Sequence, residues 1–149
     1  MPFQCVKCKT IFKSKLDDGK IPKCPFCFKR NNISNAEIEF LNYLKIPNTI
    51  ENRQKFIKPF KVDGIKNNKI FEFLGDYWHG NPIIFNENDT NLLNKTTFKD
   101  LYNKTLNKFK SLNDNGYDIY YIWENDWNKW KKNKNLSFPI QKYKIHTNI

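Results

Sequence analysis

The chain has 149 residues and a formal net charge of +11, from 26 Lys and Arg against 15 Asp and Glu. Its hydrophobic fraction of 39%, which includes 4 Trp, 7 Tyr and 13 Phe, suffices for a packed core and excludes a disordered chain. No apolar run approaches the roughly 20 residues that cross a bilayer, so we expect no membrane partner. The polar N-terminus is unlike a secretion signal, so we expect a protein of the cytoplasm, nucleoid or a viral replication site, not a secreted one.

The excess of basic residues favours a polyanionic partner such as nucleic acid. A compositional explanation remains open, because AT-rich coding alone also enriches Lys, Asn and Ile. Only Arg30 and Arg53 among the basic residues are arginine, as such a bias would produce. Charge alone therefore indicates nucleic-acid binding without deciding it.

All four cysteines fall within residues 1–30, in two C-x2-C pairs separated by 15 residues. Such spacing is typical of a zinc ribbon, in which four thiolates surround one Zn²⁺. Two disulfides or free thiols are the alternatives, and disulfides are unusual without secretion. We predict a structural zinc ribbon over residues 1–32, with no open coordination position. Its ligands would be Cys5, Cys8, Cys24 and Cys27.

A helix is predicted after Ser34, where Ser34-x-x-Glu37 fits a capping box and Pro47 would end the helix. Glu37 either completes that cap or reaches an acidic metal site. Glu39 either faces solvent or takes the same place in the site. The sequence leaves open which of the two acids, if either, joins the site.

Two short strands are predicted over Lys61–Ile65 and Lys69–Gly75, joined by an Asn-Asn turn. The first strand carries Asp63. The second carries Glu72, on the same face as its apolar neighbours at positions 70 and 74, so we expect Glu72 to be buried. A buried acid is costly unless it is paired or binds a metal. Carboxylates on neighbouring strands can together hold Mg²⁺.

The second strand runs into GDYWHGNP, residues 75–82, where unusual residue types cluster. His79 could act as a general base, contact a metal-bound water or phosphate, or be purely structural. Tyr77 and Trp78 could stack on a base or fill the core. With two acids just upstream, we favour a functional role for His79.

Beyond a polar loop, a helix is predicted over Thr96–Asn113 and a strand over Tyr117–Glu124. A strand, a helical crossover and a second strand favour parallel pairing within an α/β sheet. A short basic tail after Glu124 would lie on the domain or on DNA. Arg53, Lys99 and Lys108 are candidate phosphate contacts, with a solvated surface as the alternative.

Four segments, in this order, resemble the very short patch repair endonucleases and related phage homing endonucleases of the PD-(D/E)XK superfamily. They are SxxE at 34–37, VDG at 62–64, FEFLGDYWHGNP at 71–82 and GYDIYYIWE at 116–124. The resemblance runs from about Ser34 to Asp126. It implies a restriction-endonuclease-like mixed α/β sheet flanked by helices, over residues 33–149.

By this resemblance, Asp63 and Glu72 would bind Mg²⁺ and Glu37 would match an acid from the first helix. His79 would manage the attacking water or the scissile phosphate. The superfamily's usual lysine, two residues after the second acid, is replaced here by Leu74. We therefore expect His79 to take over that lysine's role.

The predicted function is a Mg²⁺-dependent endonuclease that nicks or breaks double-stranded DNA, in homing, repair or restriction. A non-catalytic zinc-ribbon DNA-binding protein with a degenerate nuclease fold is the alternative. A third possibility is an assembly module of a nucleic-acid complex that uses its aromatic surface. Recognition sequence and oligomeric state, monomer or homodimer, stay open.

Overall fold

A computed structural model describes residues 2–4, 9, 11–13 and 33–144. The chain divides into two compact units, Met1–Ile38 and Glu39–Ile149, whereas the sequence placed the boundary between residues 32 and 33. In the first unit, two short strands pair antiparallel. The four cysteines lie outside the described residues, so the zinc ribbon stays a prediction.

The described part of the chain contains both helices and strands, as the α/β prediction requires. In chain order they are β1 (Pro2–Gln4), β2 (Ile11–Lys13), α1 (Asn35–Tyr43), β3 (Arg53–Ile57), β4 (Phe60–Lys66), β5 (Lys69–Leu74), α2 (Asp76–His79), β6 (Thr90–Asn91), β7 (Thr96–Thr97), α3 (Phe98–Asp114), β8 (Asp118–Trp123), α4 (Glu124–Lys132) and β9 (Gln141–Lys142).

Within residues 33–144 the main sheet has five strands in the order β3-β4-β5-β8-β9. Strands β3, β4 and β5 are antiparallel neighbours, whereas β8 lies parallel to β5. Parallel neighbours require a crossover, and α3 provides it. The predicted mixed α/β architecture with a parallel pair is therefore confirmed.

Strands β3 and β9 are absent from the sequence prediction. They form the two edges of the sheet, and their residues are half-buried or exposed. An edge strand buries little of either face, so it lacks the apolar alternation that identifies β4 and β5.

Helix α1 ends before the proline that was expected to end it. Its last residue is Tyr43, and Lys45 adopts the left-handed conformation with φ 58°. The N–H of Ile46 donates to the carbonyl of Leu41 at 3.0 Å, as in a Schellman motif. The predicted end at Pro47 was wrong, because the chain turns out of the helix before it reaches the proline.

Helix α3 packs on the sheet through Phe109 and Leu112. Thr97 caps its start by accepting from the N–H of Asp100, and Gly116, at φ 95°, follows its end. Neither α3 nor any other helix in the described ranges is long and apolar enough to cross a membrane. The central core cluster comprises Val62, Ile65, Ile70, Leu74, Phe109, Leu112, Ile119 and Trp123.

The residues after Glu124 form helix α4 rather than a basic tail. Trp127 and Trp130 are buried, and their ring centroids lie 5.5 Å apart. Phe40 of α1 meets Trp127 edge-on at 5.8 Å, and Phe138 lies 4.9 Å from Trp130. These aromatic contacts stabilise the helix. The many lysines of this segment had suggested an exposed basic tail instead.

Candidate active site

The site is organised around two acidic side chains from adjacent strands. The β4–β5 pairing sets Gly64 opposite Phe71, and the next step sets Asp63 opposite Glu72 on one face of the sheet. The two carboxyl groups interact closely enough for Asp63 to raise the pKa of Glu72, through its charge and through hydrogen bonding. Asp63 Oδ2 also accepts from the N–H of Phe73 at 2.9 Å. Its position is therefore fixed from the neighbouring strand.

Glu72 is buried, with 3% of its surface exposed. Burial, helped by the nearby charge of Asp63, raises the pKa of Glu72 to about 8, while Lys108 acts in the opposite direction. Two touching carboxyl groups in an apolar setting cannot both stay ionised at neutral pH without added positive charge. The pair is therefore suited to gaining a cation.

Lys108 brings the first such positive charge, from the middle of α3. Its Nζ lies 2.5 Å from Glu72 Oε1 and donates to the carbonyl of Lys61 at 2.7 Å. The sequence had proposed Lys108 as a DNA contact, whereas the structure places its ammonium group beside the acidic pair. Leu74, at the position of the usual lysine, is 2% exposed in the core.

A signal for this placement exists in the sequence of α3. Leu101, Thr105, Lys108 and Leu112 recur at a spacing of four, three and four residues, which is one face of a helix. Two of these four positions are polar although the stripe packs on the sheet. A polar residue at a predicted core position is a reason to look for a buried partner.

His79 is the last residue of α2 and is half-buried. Its Nδ1 lies 2.9 Å from Thr105 Oγ1. Burial lowers the pKa of His79 to about 4, with Lys108 and Lys104 acting in the same direction and Glu72 opposing them. The imidazole is therefore neutral at pH 7 and has one nitrogen available as an acceptor.

The loop around His79 is held by close backbone contacts. Gly80 has φ 64°, and a Cβ there would lie 2.1 Å from the carbonyl oxygen of Phe98. The side-chain amide of Asn81, 2% exposed, donates to Asp76 Oδ1 at 2.8 Å, and the N–H of Asp76 donates to Glu124 at 3.4 Å. Asp76 and the glycine therefore fix the path of the loop.

The two acids predicted on α1 differ in their surroundings. The N–H of Glu37 donates to Ser34 Oγ at 3.1 Å, which confirms the N-cap. Glu37 is buried and belongs to the first unit, and its part in the site stays a prediction. The side chain of Glu39 is 49% exposed and forms an ion pair with Lys131. Glu39 thus belongs to a surface pair.

Two of the predicted DNA contacts are engaged within the protein. Arg53 Nη2 donates to Asn42 Oδ1 at 2.8 Å and to the carbonyl of Ile46 at 2.5 Å, so its guanidinium ties β3 to the end of α1. The Tyr77 hydroxyl accepts from the N–H of Leu92 at 3.2 Å. Its ring packs with Trp78, Phe85 and Phe98.

Two other predicted DNA contacts remain accessible. The side chain of Trp78 is 53% exposed, next to His79. Lys99 is exposed in the first turn of α3. Both positions suit a contact with a large partner, and both assignments stay predictions.

The donor set fits a hard divalent cation held in part by the protein. Residues 33–144 contain no group of three or more His, Cys, Asp or Glu side chains placed around one metal position. Mg²⁺ does not require such a cage, since it commonly takes one or two carboxylates together with waters and substrate phosphates. Asp63 and Glu72 offer two carboxyl groups that already touch.

No family model matches the chain, and no curated protein or solved structure matches it significantly. The resemblance to the very short patch repair endonucleases therefore rests on the motifs of this chain alone. The structure adds the mixed sheet and the contact between Asp63 and Glu72, which are observations independent of any relative.

Proposed function

We propose that the chain is a Mg²⁺-dependent endonuclease of double-stranded DNA with a restriction-endonuclease-like fold, similar to the very short patch repair endonucleases. The contact between the carboxyl groups of Asp63 and Glu72 carries this proposal. Lys108 Nζ lies 2.5 Å from Glu72 Oε1 and supplies an ammonium group, and the charge of Glu72 acts on the neutral imidazole of His79. Phosphodiester hydrolysis uses such groups: two carboxylates that can hold a metal ion, a cation and a base.

Hydrolysis of a phosphodiester requires an activated water, stabilisation of negative charge on the phosphate, and protonation of the leaving oxygen. Bound by Asp63 and Glu72, Mg²⁺ would supply Lewis acidity toward the phosphate and an acidified water. The neutral His79 would accept a proton through its free ring nitrogen. Lys108 would hold Glu72 in place and add positive charge near the phosphate.

Lys108, rather than His79, is assigned the part of the superfamily's lysine. The side chain at position 74 is a buried leucine, so the strand itself brings no cation to the pair. An ammonium group from α3 reaches Glu72 instead. This revises the expectation from the sequence and leaves His79 with proton transfer only.

The charge of +11 and the exposed Trp78 and Lys99 support a polyanionic duplex as substrate. The zinc ribbon of residues 1–32 remains part of the proposal as a second DNA contact or a brace, with Zn²⁺ on the four cysteines.

The alternative, a DNA-binding protein with a degenerate site, is favoured by Leu74 and by the lack of a third described acid near the pair. The ammonium of Lys108 beside Glu72 weighs against it, since a degenerate site has no need of a cation held against a buried acid.

A plasmid assay separates the two. The purified protein is incubated with supercoiled DNA in Mg²⁺ or in EDTA, as wild type, Asp63→Asn and the exposed control Glu87→Gln. An asparagine at 63 keeps an oxygen for the N–H of Phe73 but loses the charge. We expect nicked or linear DNA from wild type and Glu87→Gln in Mg²⁺ only.

Asp63→Asn should bind the same DNA, measured by fluorescence anisotropy, and leave it uncut. Cleavage by Asp63→Asn at the wild-type rate would remove the pair from the mechanism. Tight DNA binding by the wild type with no cleavage in Mg²⁺ would instead establish the non-catalytic alternative.

A further inference from the structure

The hydroxyl group of Thr105 lies between an imidazole and a backbone carbonyl. Thr105 is 6% exposed, and its Oγ1 lies 2.9 Å from His79 Nδ1 and donates to the carbonyl of Leu101 at 3.2 Å. A threonine hydroxyl has one proton to donate, while its oxygen can also accept. The two contacts therefore constrain each other.

The carbonyl of Leu101 can only accept, so the 3.2 Å contact is a hydrogen bond only when Thr105 donates its proton to that carbonyl. Oγ1 must then accept from His79, which requires the proton of the imidazole to sit on Nδ1. The reverse arrangement would put two oxygens 3.2 Å apart with no hydrogen between them. Only the first assignment keeps both Thr105 contacts as hydrogen bonds, so it is favoured.

Helix geometry also favours donation from the Thr105 hydroxyl to Leu101, independently of His79. Threonine in a helix commonly donates to the carbonyl four residues earlier, and Leu101 is that residue. The hydroxyl is thus oriented by α3 itself, before α2 packs against it. His79 meets an acceptor that is already in place.

We propose that Thr105 is a positioning residue that holds His79 in the Nδ1–H tautomer and leaves Nε2 unprotonated. This tautomer would matter for cleavage, a point that rests on the proposed function, because Nε2 would then receive the proton of the attacking water. The pKa of the ring responds to the charges of Glu72, Lys108 and Lys104. These charges do not change the fact that the Thr105 hydroxyl has one proton to donate.

The tautomer is observable without any activity, by long-range ¹H–¹⁵N correlation on the ¹⁵N-labelled full chain. The sequence contains 2 histidines, so His146→Gln assigns the His79 signals. We expect a protonated Nδ1 and an unprotonated Nε2 in the wild type. Thr105→Val, which keeps the shape and removes the hydroxyl, should move the proton to Nε2 in at least part of the population.

Thr105→Ser retains the hydroxyl and should restore the wild-type spectrum. An Nε2–H signal in the wild type, or an unchanged tautomer in a folded Thr105→Val, would overturn the assignment. Should Thr105→Val not fold, the wild-type and Thr105→Ser spectra decide the tautomer alone.

Cleavage provides the second readout. We expect Thr105→Val to cut DNA about 100-fold more slowly and Thr105→Ser to cut at nearly the wild-type rate, since general-base catalysis contributes at least that factor. Normal cleavage by Thr105→Val with a shifted tautomer would refute the catalytic part. If no variant and no wild type cuts, the proposed function fails, while the spectra still judge the tautomer.

Discussion

At the scale of residues, the charge balance of the acidic pair depends on Lys108. Its ammonium is 2.5 Å from Glu72 Oε1, and the side chain is 22% exposed. Lys108 therefore affects both the stability of the fold and the charge at the site, and the two effects can be measured separately.

We predict that Lys108→Met lowers the cleavage rate by about 100-fold or more, because an electrostatic contact in a water-excluded site is lost. Stability at pH 7 should fall by less than ~3–5 kcal/mol, the cost of a stranded buried charge, because Glu72, with a pKa of about 8, is already largely protonated. Urea unfolding and the plasmid assay measure the two effects.

The matched control is Lys110→Met on the same helix, since Lys110 pairs with Asp114 at the surface. Its unfolding free energy should change by about 0.5 kcal/mol or less, with unchanged cleavage. Equal losses of activity in both variants would show that Lys108 acts as one of many surface charges.

The pH dependence of stability follows from the two shifted groups. The pKa of Glu72 rises from 4.5 to about 8 on folding, so its contribution is full below pH 4.5 and is lost as pH rises through about 8. The pKa of His79 falls from 6.5 to about 4, so its contribution is full above pH 6.5 and is lost as pH falls toward 4.

We therefore predict that Glu72→Gln gains stability relative to the metal-free wild type as pH is raised from 4.5 to about 8. A glutamine stays neutral and has no ionisation to lose, which gives the variant a flatter profile. Urea titrations in EDTA across this range measure the difference. A constant offset between the two proteins would contradict the burial of Glu72.

At the scale of elements, α2 and the loop after it are seated on the start of α3. A Cβ at Gly80 would lie 2.1 Å from the carbonyl oxygen of Phe98, and the residue has φ 64°. An alanine there would push α2 away from α3 and carry His79 with it.

We predict that Gly80→Ala destabilises the protein by about 3 kcal/mol or more, from a left-handed backbone costing ~1–2 kcal/mol and a backbone clash. The same variant should lose cleavage. Gly116→Ala is the control, since Gly116 has φ 95° but a Cβ at that position would meet no atom within 4 Å. Equal stability losses would show that backbone strain alone matters at position 80.

The elements that place the acids could be predicted because their signals are local. Strands β4 and β5 show apolar alternation on both sides of an Asn-Asn turn, and Asn67 has the left-handed φ of 57° that such a turn needs. Once the turn is placed, the pleat puts Asp63 and Glu72 on one face. Glu72 was expected to be buried for the same reason, and it is.

The rest of the site depends on tertiary contacts that no local pattern contains. Lys108 reaches Glu72 across 36 positions of sequence, and the crossover angle of α3 decides whether it faces the sheet or solvent. The sequence suggested that Arg53 is a surface charge, although Asn42 and Ile46 at the end of α1 supply two acceptors for it. Helix α4 was missed because its lysines conceal the aromatic packing of Trp127 and Trp130.

At the scale of the whole molecule, a net charge of +11 predicts salt-sensitive binding to a polyanion. For duplex DNA, the logarithm of the affinity should fall linearly with the logarithm of salt, by about 0.9 for each phosphate contact. Lys99→Gln should reduce this slope by about 1 if that lysine contacts phosphate.

Lys110→Gln is the paired control, because an acidic partner already neutralises Lys110 at 3.1 Å. Anisotropy titrations at several salt concentrations measure both slopes. An affinity that does not change with salt would contradict DNA binding driven by charge.

The proposed mechanism depends above all on one hard divalent cation shared by Asp63 and Glu72. Binding of Mn²⁺, a paramagnetic substitute for Mg²⁺, to the full chain can be titrated by electron paramagnetic resonance. We predict one site that Mg²⁺ displaces, present in the wild type and in Glu87→Gln, and lost in both Asp63→Asn and Glu72→Gln. Wild-type Mn²⁺ binding by either of these last two variants would contradict the account.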